Sequence, residues 1–128
     1  MNAVRNVTLA VVLSAVAALS SAGQARAASD DTFAAIAYSP ATGHVGYAYN
    51  AASQRGAERR ALEECDRSDA EVVVVVRNGY VALAVGEDGA YGYAWGSSQG
   101  IAEGIALRKC LEYGGVRPRI VVSIYSGD

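Results

Sequence analysis

Apolar positions along this chain fall into short runs, interrupted twice by a stretch whose period lengthens to that of a helix. Residues 33–39 form an apolar strand, Pro40-Ala41-Thr42-Gly43 turns the chain, and residues 45–50 return with small and aromatic side chains alternating. Ser53 is a preferred N-cap, because its hydroxyl can accept an orphan amide hydrogen bond, and the helix is predicted to run to about Asp66. The five valines at 72–76 are β-branched and unalternating, which predicts a strand covered on both faces. Asn78-Gly79 follows, between two β-rich runs, and is the strongest short hairpin signal in the chain. Residues 80–85, the turn Glu87-Asp88-Gly89 and residues 91–96 then form a second hairpin of the same kind. Ser97 or Ser98 caps a second helix ending near Tyr113-Gly114-Gly115, and residues 119–125 close the chain as a strand.

The two halves share side chains as well as elements. Ser53-Gln54, Ala57-Glu58, Ala61-Leu62 and Cys65 return 45 residues later as Ser98-Gln99, Ala102-Glu103, Ala106-Leu107 and Cys110. Upstream, Gly46-Tyr47-Ala48-Tyr49 answers Gly92-Tyr93-Ala94-Trp95, with the register slipping by one residue between strand and helix. One β-β-α-β unit is therefore read twice, over residues 33–77 and 79–125. The predicted fold class is α+β: two pseudo-symmetric units forming antiparallel three-stranded sheets, with two helices packed on them. If the Asn-Gly hairpin pairs the last strand of unit one with the first of unit two, twofold symmetry makes the sheets interlock, each drawing strands from both units.

Residues 1–27 read as an export signal: Arg5 begins it, an apolar run follows, and Ala25-Arg26-Ala27 supplies a small-x-small cleavage site. Residues 28–128 are then one exported domain, periplasmic or extracellular, touching membrane only through the uncleaved signal. The whole chain carries a net charge of −2, more negative once Arg5 and Arg26 leave, and shows no basic patch, so nucleic acid is excluded as a partner class.

Candidate chemistry is sparse. Glu58 and Glu103 fall inside the apolar arcs of their helices. Each is read first as a packing residue that accepts hydrogen bonds, and second as half of a carboxylate pair of the glycosidase type. Tyr47 and Tyr49 share one strand face, as do Tyr91, Tyr93 and Trp95, with Gly and Ala opposite. The small face suits a closely packed helix. The aromatic face suits core or cross-strand packing first, and a platform for sugar or peptide second. Cys65 and Cys110 stand at equivalent inward positions, where two free thiols are preferred over a Cys65–Cys110 disulfide. One His and two separated Cys give no metal cluster, and no cofactor motif is present.

The segment from Ala35 to Pro40, the Gly-Tyr-Ala-Tyr strand, the Ala-Glu-x-x-Ala-Leu-x-x-Cys helix and the strand from Ala82 to Val85 together resemble a bacterial exported family, domain of unknown function 4189. The resemblance implies a small exported protein built from a duplicated β-rich unit with one helix; it bears on fold and localisation rather than on mechanism. It also implies further cysteines near Glu71, Tyr80 and Tyr125, which this chain lacks; Tyr80 and Tyr125 are expected to stack across neighbouring strands in their place.

Three functions follow as expectations. The first is a non-catalytic module binding a protein, peptide or envelope glycan through Tyr47, Tyr49, Tyr93 and Trp95. The second is a small hydrolase using Glu58 and Glu103. The third is a structural or stress-related envelope protein.

Overall fold

The computed structural model describes residues 30–127, so the predicted signal and its cleavage site lie outside the described residues. Strands β1 (Phe33–Tyr38) and β2 (Val45–Ala51), helix α1 (Gln54–Cys65) and strand β3 (Glu71–Arg77) make the first unit. Strands β4 (Gly79–Val85) and β5 (Tyr91–Gly96), helix α2 (Gln99–Glu112) and strand β6 (Arg119–Ser126) make the second. Both helices start where the sequence predicts. The Ser53 hydroxyl accepts from the Gly56 amide at 3.0 Å and the Ser98 hydroxyl from the Ile101 amide at 3.2 Å, satisfying one orphan donor in each first turn.

The α+β class and the two antiparallel three-stranded sheets are as expected, with strand orders β2-β1-β3 and β5-β4-β6. The interlocked closure is not. Each sheet takes all its strands from one unit. Asn78-Gly79 forms no hairpin, because a two-residue turn of that kind needs positive φ at both positions and only Asn78 has it, at 52°. Asn78 instead extends the β1–β3 ladder. Its amide donates to the Thr32 carbonyl at 2.9 Å, and its side-chain oxygen accepts from the Thr32 amide at 3.0 Å. The chain then steps through this single residue into the other sheet.

The two sheets stack with β1 over β4, β2 over β6 and β3 over β5. Alternation along the central strands decides what fills each interface. Ala34, Ile36 and Tyr38 from β1 meet Val81 and Leu83 from β4, with Val74 and Val122, in a core shared by both units. Burying each large apolar side chain here contributes roughly 1.5–3 kcal/mol. The opposite faces of the same strands are small: Ala35 and Ala37 under α1 with Ala57, Ala61 and Cys65, then Ala82 and Ala84 under α2 with Ala102, Ala106 and Cys110. The layers therefore run α1, sheet, sheet, α2. Glycine sets how closely the helices approach. A Cβ at Gly46 would overlap the Ala61 carbonyl oxygen and the Cys65 amide, and one at Gly92 would overlap the Cys110 amide.

The valine strand is less covered than expected, since β3 is an edge strand and only Val74 among the five is fully buried. Its pairing slips between Ile36 and Ala37, leaving Val73 as an extra residue; β6 slips at the matching place and leaves Val121.

Candidate functional site

The aromatic rows lie on the strand faces opposite the small ones that the helices cover, and they do not meet. Because β2 lies over β6 while β5 lies over β3, Tyr47 and Tyr49 sit at one side of the sandwich and Tyr93 and Trp95 at the other. Only Tyr91 joins the shared core, its ring 4.8 Å from that of Tyr38. These four rings are not core: Tyr47 is 40% exposed, Tyr49 50%, Tyr93 39% and Trp95 65%, while Tyr93 and Trp95 keep their cross-strand neighbours Leu83 and Val81. The physical reason is topology. Both rows point between the sheets, but each lies on an edge strand, where the neighbouring layer covers only part of the ring.

On the β5 side this geometry leaves a groove of about 540 Å³. Tyr93 and Trp95 form one wall, Ile101, Ile105 and Lys109 of α2 form another, and Val74 of β3 closes the base. Gly96 helps to shape it, since a Cβ there would press on Ile101 and the start of α2. Ile101 is itself exposed, and β5 pairs on one edge with β4 and with no described strand on the other. The α2 contribution was not legible in the sequence, because Ile101, Ile105 and Lys109 lie outside the positions shared by the two helices.

Glu58 and Glu103 are kept apart by both sheets. With about 10 Å per interlayer step, their helices are roughly 30 Å apart, against the ~5–10 Å that a shared two-carboxylate site requires. Each is held within its own helix by the preceding glutamine: Gln54 donates to Glu58 at 3.1 Å and Gln99 to Glu103 at 2.7 Å. The Ser123 hydroxyl and then Gln99 draw the Glu103 carboxyl below the usual range. That hydroxyl acts as a nearby dipole, since its buried oxygen makes no fully aligned hydrogen bond.

Cys65 and Cys110 are buried, unbridged and likewise on opposite outer layers. Each thiol donates to the carbonyl of a hairpin residue, Cys65 to His44 at 3.4 Å and Cys110 to Ala90 at 3.3 Å. Burial is the main cause pushing both thiols up, which makes them poor nucleophiles. His44 is exposed, its ring Nε2 accepting from Arg67 at 2.8 Å. No cluster of three or more His, Cys, Asp or Glu residues able to hold a metal occurs among the described residues. No described helix is long and apolar enough to cross a membrane. Tyr80 and Tyr125 pair across β4 and β6 with ring centroids 4.4 Å apart, the expected stack.

Residues 33–124 match the family described as Domain of unknown function (DUF4189), and the chain belongs to that family. Neither a curated protein nor a solved structure matches the chain.

Proposed function

We propose that this member of the family is an exported, non-catalytic binding module whose β5–α2 groove takes an extended apolar segment of an envelope protein. The observation that carries the reading is Trp95, 65% exposed on an edge strand beside a groove also lined by Tyr93, Ile101 and Ile105. A solvated indole of this kind sits where burial by a partner returns the most free energy, and aromatic anchors of this type dominate binding surfaces. The open edge of β5 supplies backbone donors and acceptors for strand addition. A glycan is less well served: its hydroxyls need several polar partners, and the groove side chains offer Ser97, Lys109, the Tyr93 hydroxyl and the Trp95 indole N–H, with no carboxylate or amide among them.

Trp95 is the only tryptophan, so its emission reports occupancy directly. Residues 28–128 are titrated with arrays of extended envelope-protein peptides and, in parallel, with envelope glycans. A blue shift with peptides, lost in Ile105→Glu but kept in Tyr49→Ala, together with loss of peptide binding by Trp95→Ala in calorimetry, supports the reading. A response to glycans alone, or peptide binding that survives Trp95→Ala, overturns it.

A further inference from the structure

The opposite side of the sandwich holds a second cleft, of about 490 Å³, with a different lining. Val45 of β2, Val85 of β4 and Val121 of β6 make its apolar wall, and Glu87, Arg117 and Arg119 its charged rim. Val121 reaches this wall because it is the extra residue of the β6 bulge. We propose that this cleft binds a small organic monocarboxylate with an apolar tail, its carboxylate on Arg119 and its tail along Val45, Val85 and Val121.

Three observations carry the assignment. First, Arg117 is fixed in place. Its Nε and Nη2 donate to the two carboxylate oxygens of Glu87 at 2.9 and 2.7 Å, and its backbone takes the left-handed φ of 45°, a posture that non-glycine residues seldom hold. That fork leaves the Nη1 donors of Arg117 for another acceptor. Second, the Arg119 side chain makes no hydrogen bond or ion pair with a described residue, although it is close enough to Glu87 to help hold that carboxyl below the usual range. The lining thus carries two guanidinium groups against one carboxylate, in a chain whose net charge is −2. Asp88 lies nearby, but one of its carboxylate oxygens is turned into the loop to accept from the Val116 amide at 3.1 Å. Third, the three valines and the charged residues line one cleft, so head and tail are met in one site, within the usual volume range of small-molecule pockets. Glu87 on the rim selects for a single charge, because a dianion would meet it at close range.

This site is independent of the β5–α2 groove, and its test does not use Trp95. The protein is titrated with octanoate and, separately, with octanol, following the methyl signals of Val45, Val85 and Val121 by NMR. Octanoate is expected to shift these methyls at millimolar concentration, with octanol about tenfold weaker and Arg119→Gln weakening octanoate by about tenfold. Arg119→Lys should recover part of that loss, since a point charge remains without the fork. Octanol binding as tightly as octanoate, unchanged binding in Arg119→Gln, or no methyl response to octanoate would each overturn the proposal.

Discussion

The two units build the same layers and then fasten their rims differently. In unit one, Asn50 ends the exposed part of β2 with φ 53°; its amide donates to the Ser126 hydroxyl at 3.1 Å, and its side chain accepts from the Gly127 amide at 3.2 Å. Ser126 also donates to the Thr32 hydroxyl at 2.8 Å, so the end of β6 is laced to both β2 and the entry to β1. Unit two has no counterpart of Asn50: Phe33 pairs with Ala51 as Tyr80 pairs with Gly96, and the register shift that makes Asn50 an extra residue of β2 is absent from β5. The β2–β6 side is therefore sewn shut at this end, while the β3–β5 side stays open beside Trp95. The groove arises where the two units cease to match.

The largest expected effect tests what the units share. Gly46→Val and Gly92→Val each drive side-chain atoms into helix backbone rather than into a flexible side chain. Each should cost about 3 kcal/mol or more in urea denaturation, enough to leave the chain largely unfolded. A similar loss at both sites means that the two helix–sheet contacts are energetically alike, whereas tolerance at one site would show that its helix can lift away.

Next comes the lacing that only unit one has. Asn50→Ala keeps the backbone bond to Ser126 but removes the side-chain oxygen that accepts from the Gly127 amide and the Ser126 hydroxyl, and places alanine at a left-handed φ, so the loss should be about 1–2 kcal/mol in thermal or chemical unfolding. Hydrogen exchange at the amide of Gly127 should quicken in the same variant. A change below a few tenths of a kcal/mol would mean that the lacing follows the fold rather than supporting it.

A smaller effect, of opposite sign, separates the two helices. In α2, Gly100 and Gly104 have open space where a Cβ would stand. Gly100→Ala and Gly104→Ala should each stabilise by roughly 0.5–1 kcal/mol, because glycine in a helix loses more backbone entropy than alanine. In α1, a Cβ at Gly56 would meet the capping hydroxyl of Ser53 at 3.0 Å, so Gly56→Ala should give a smaller gain or none.

Legibility from sequence followed the range of the forces involved. Helix caps, turns and the small strand faces are local, and Ser53, Ser98, Gly46 and Gly92 announced them. Sheet membership was not local. Asn78-Gly79 advertises positive φ, yet only Asn78 uses it, and whether β3 and β4 pair depends on the ladder that β3 already makes with β1. The groove was half legible. Alternation placed Tyr93 and Trp95 together, but their exposure depends on which strand is an edge and on where α2 presents Ile101 and Ile105. The two carboxylates looked like a pair only because the sequence cannot place two sheets between them.

The smallest effect concerns how each unit ties its far loops. In unit one, the acid lies after the helix: Asp69 accepts from the Ser39 hydroxyl at 2.5 Å and from the Ala41 amide at 3.0 Å, joining the α1–β3 loop to the β1–β2 turn. In unit two, the acids lie in the hairpin turn and reach the other way, Asp88 to the Val116 amide and Glu87 to Arg117. The Ser39 hydroxyl first, and then the Ala41 amide, hold the Asp69 carboxyl below its usual range; Arg117 does the same for Glu87. A carboxyl whose folded value is depressed contributes stability that is complete above its unfolded value, near pH 4, and is lost as pH falls through the folded value. Stability should therefore decline below about pH 4, and Asp69→Asn and Glu87→Gln should each flatten that decline when Tm is followed by circular dichroism down the acid limb. Both carboxylates are exposed, so solvent screening keeps the two slopes shallow. An acid limb unchanged in Asp69→Asn but flattened in Glu87→Gln would assign the pH dependence to unit two alone, and would make the guanidinium-rich rim the more strongly coupled of the two ties.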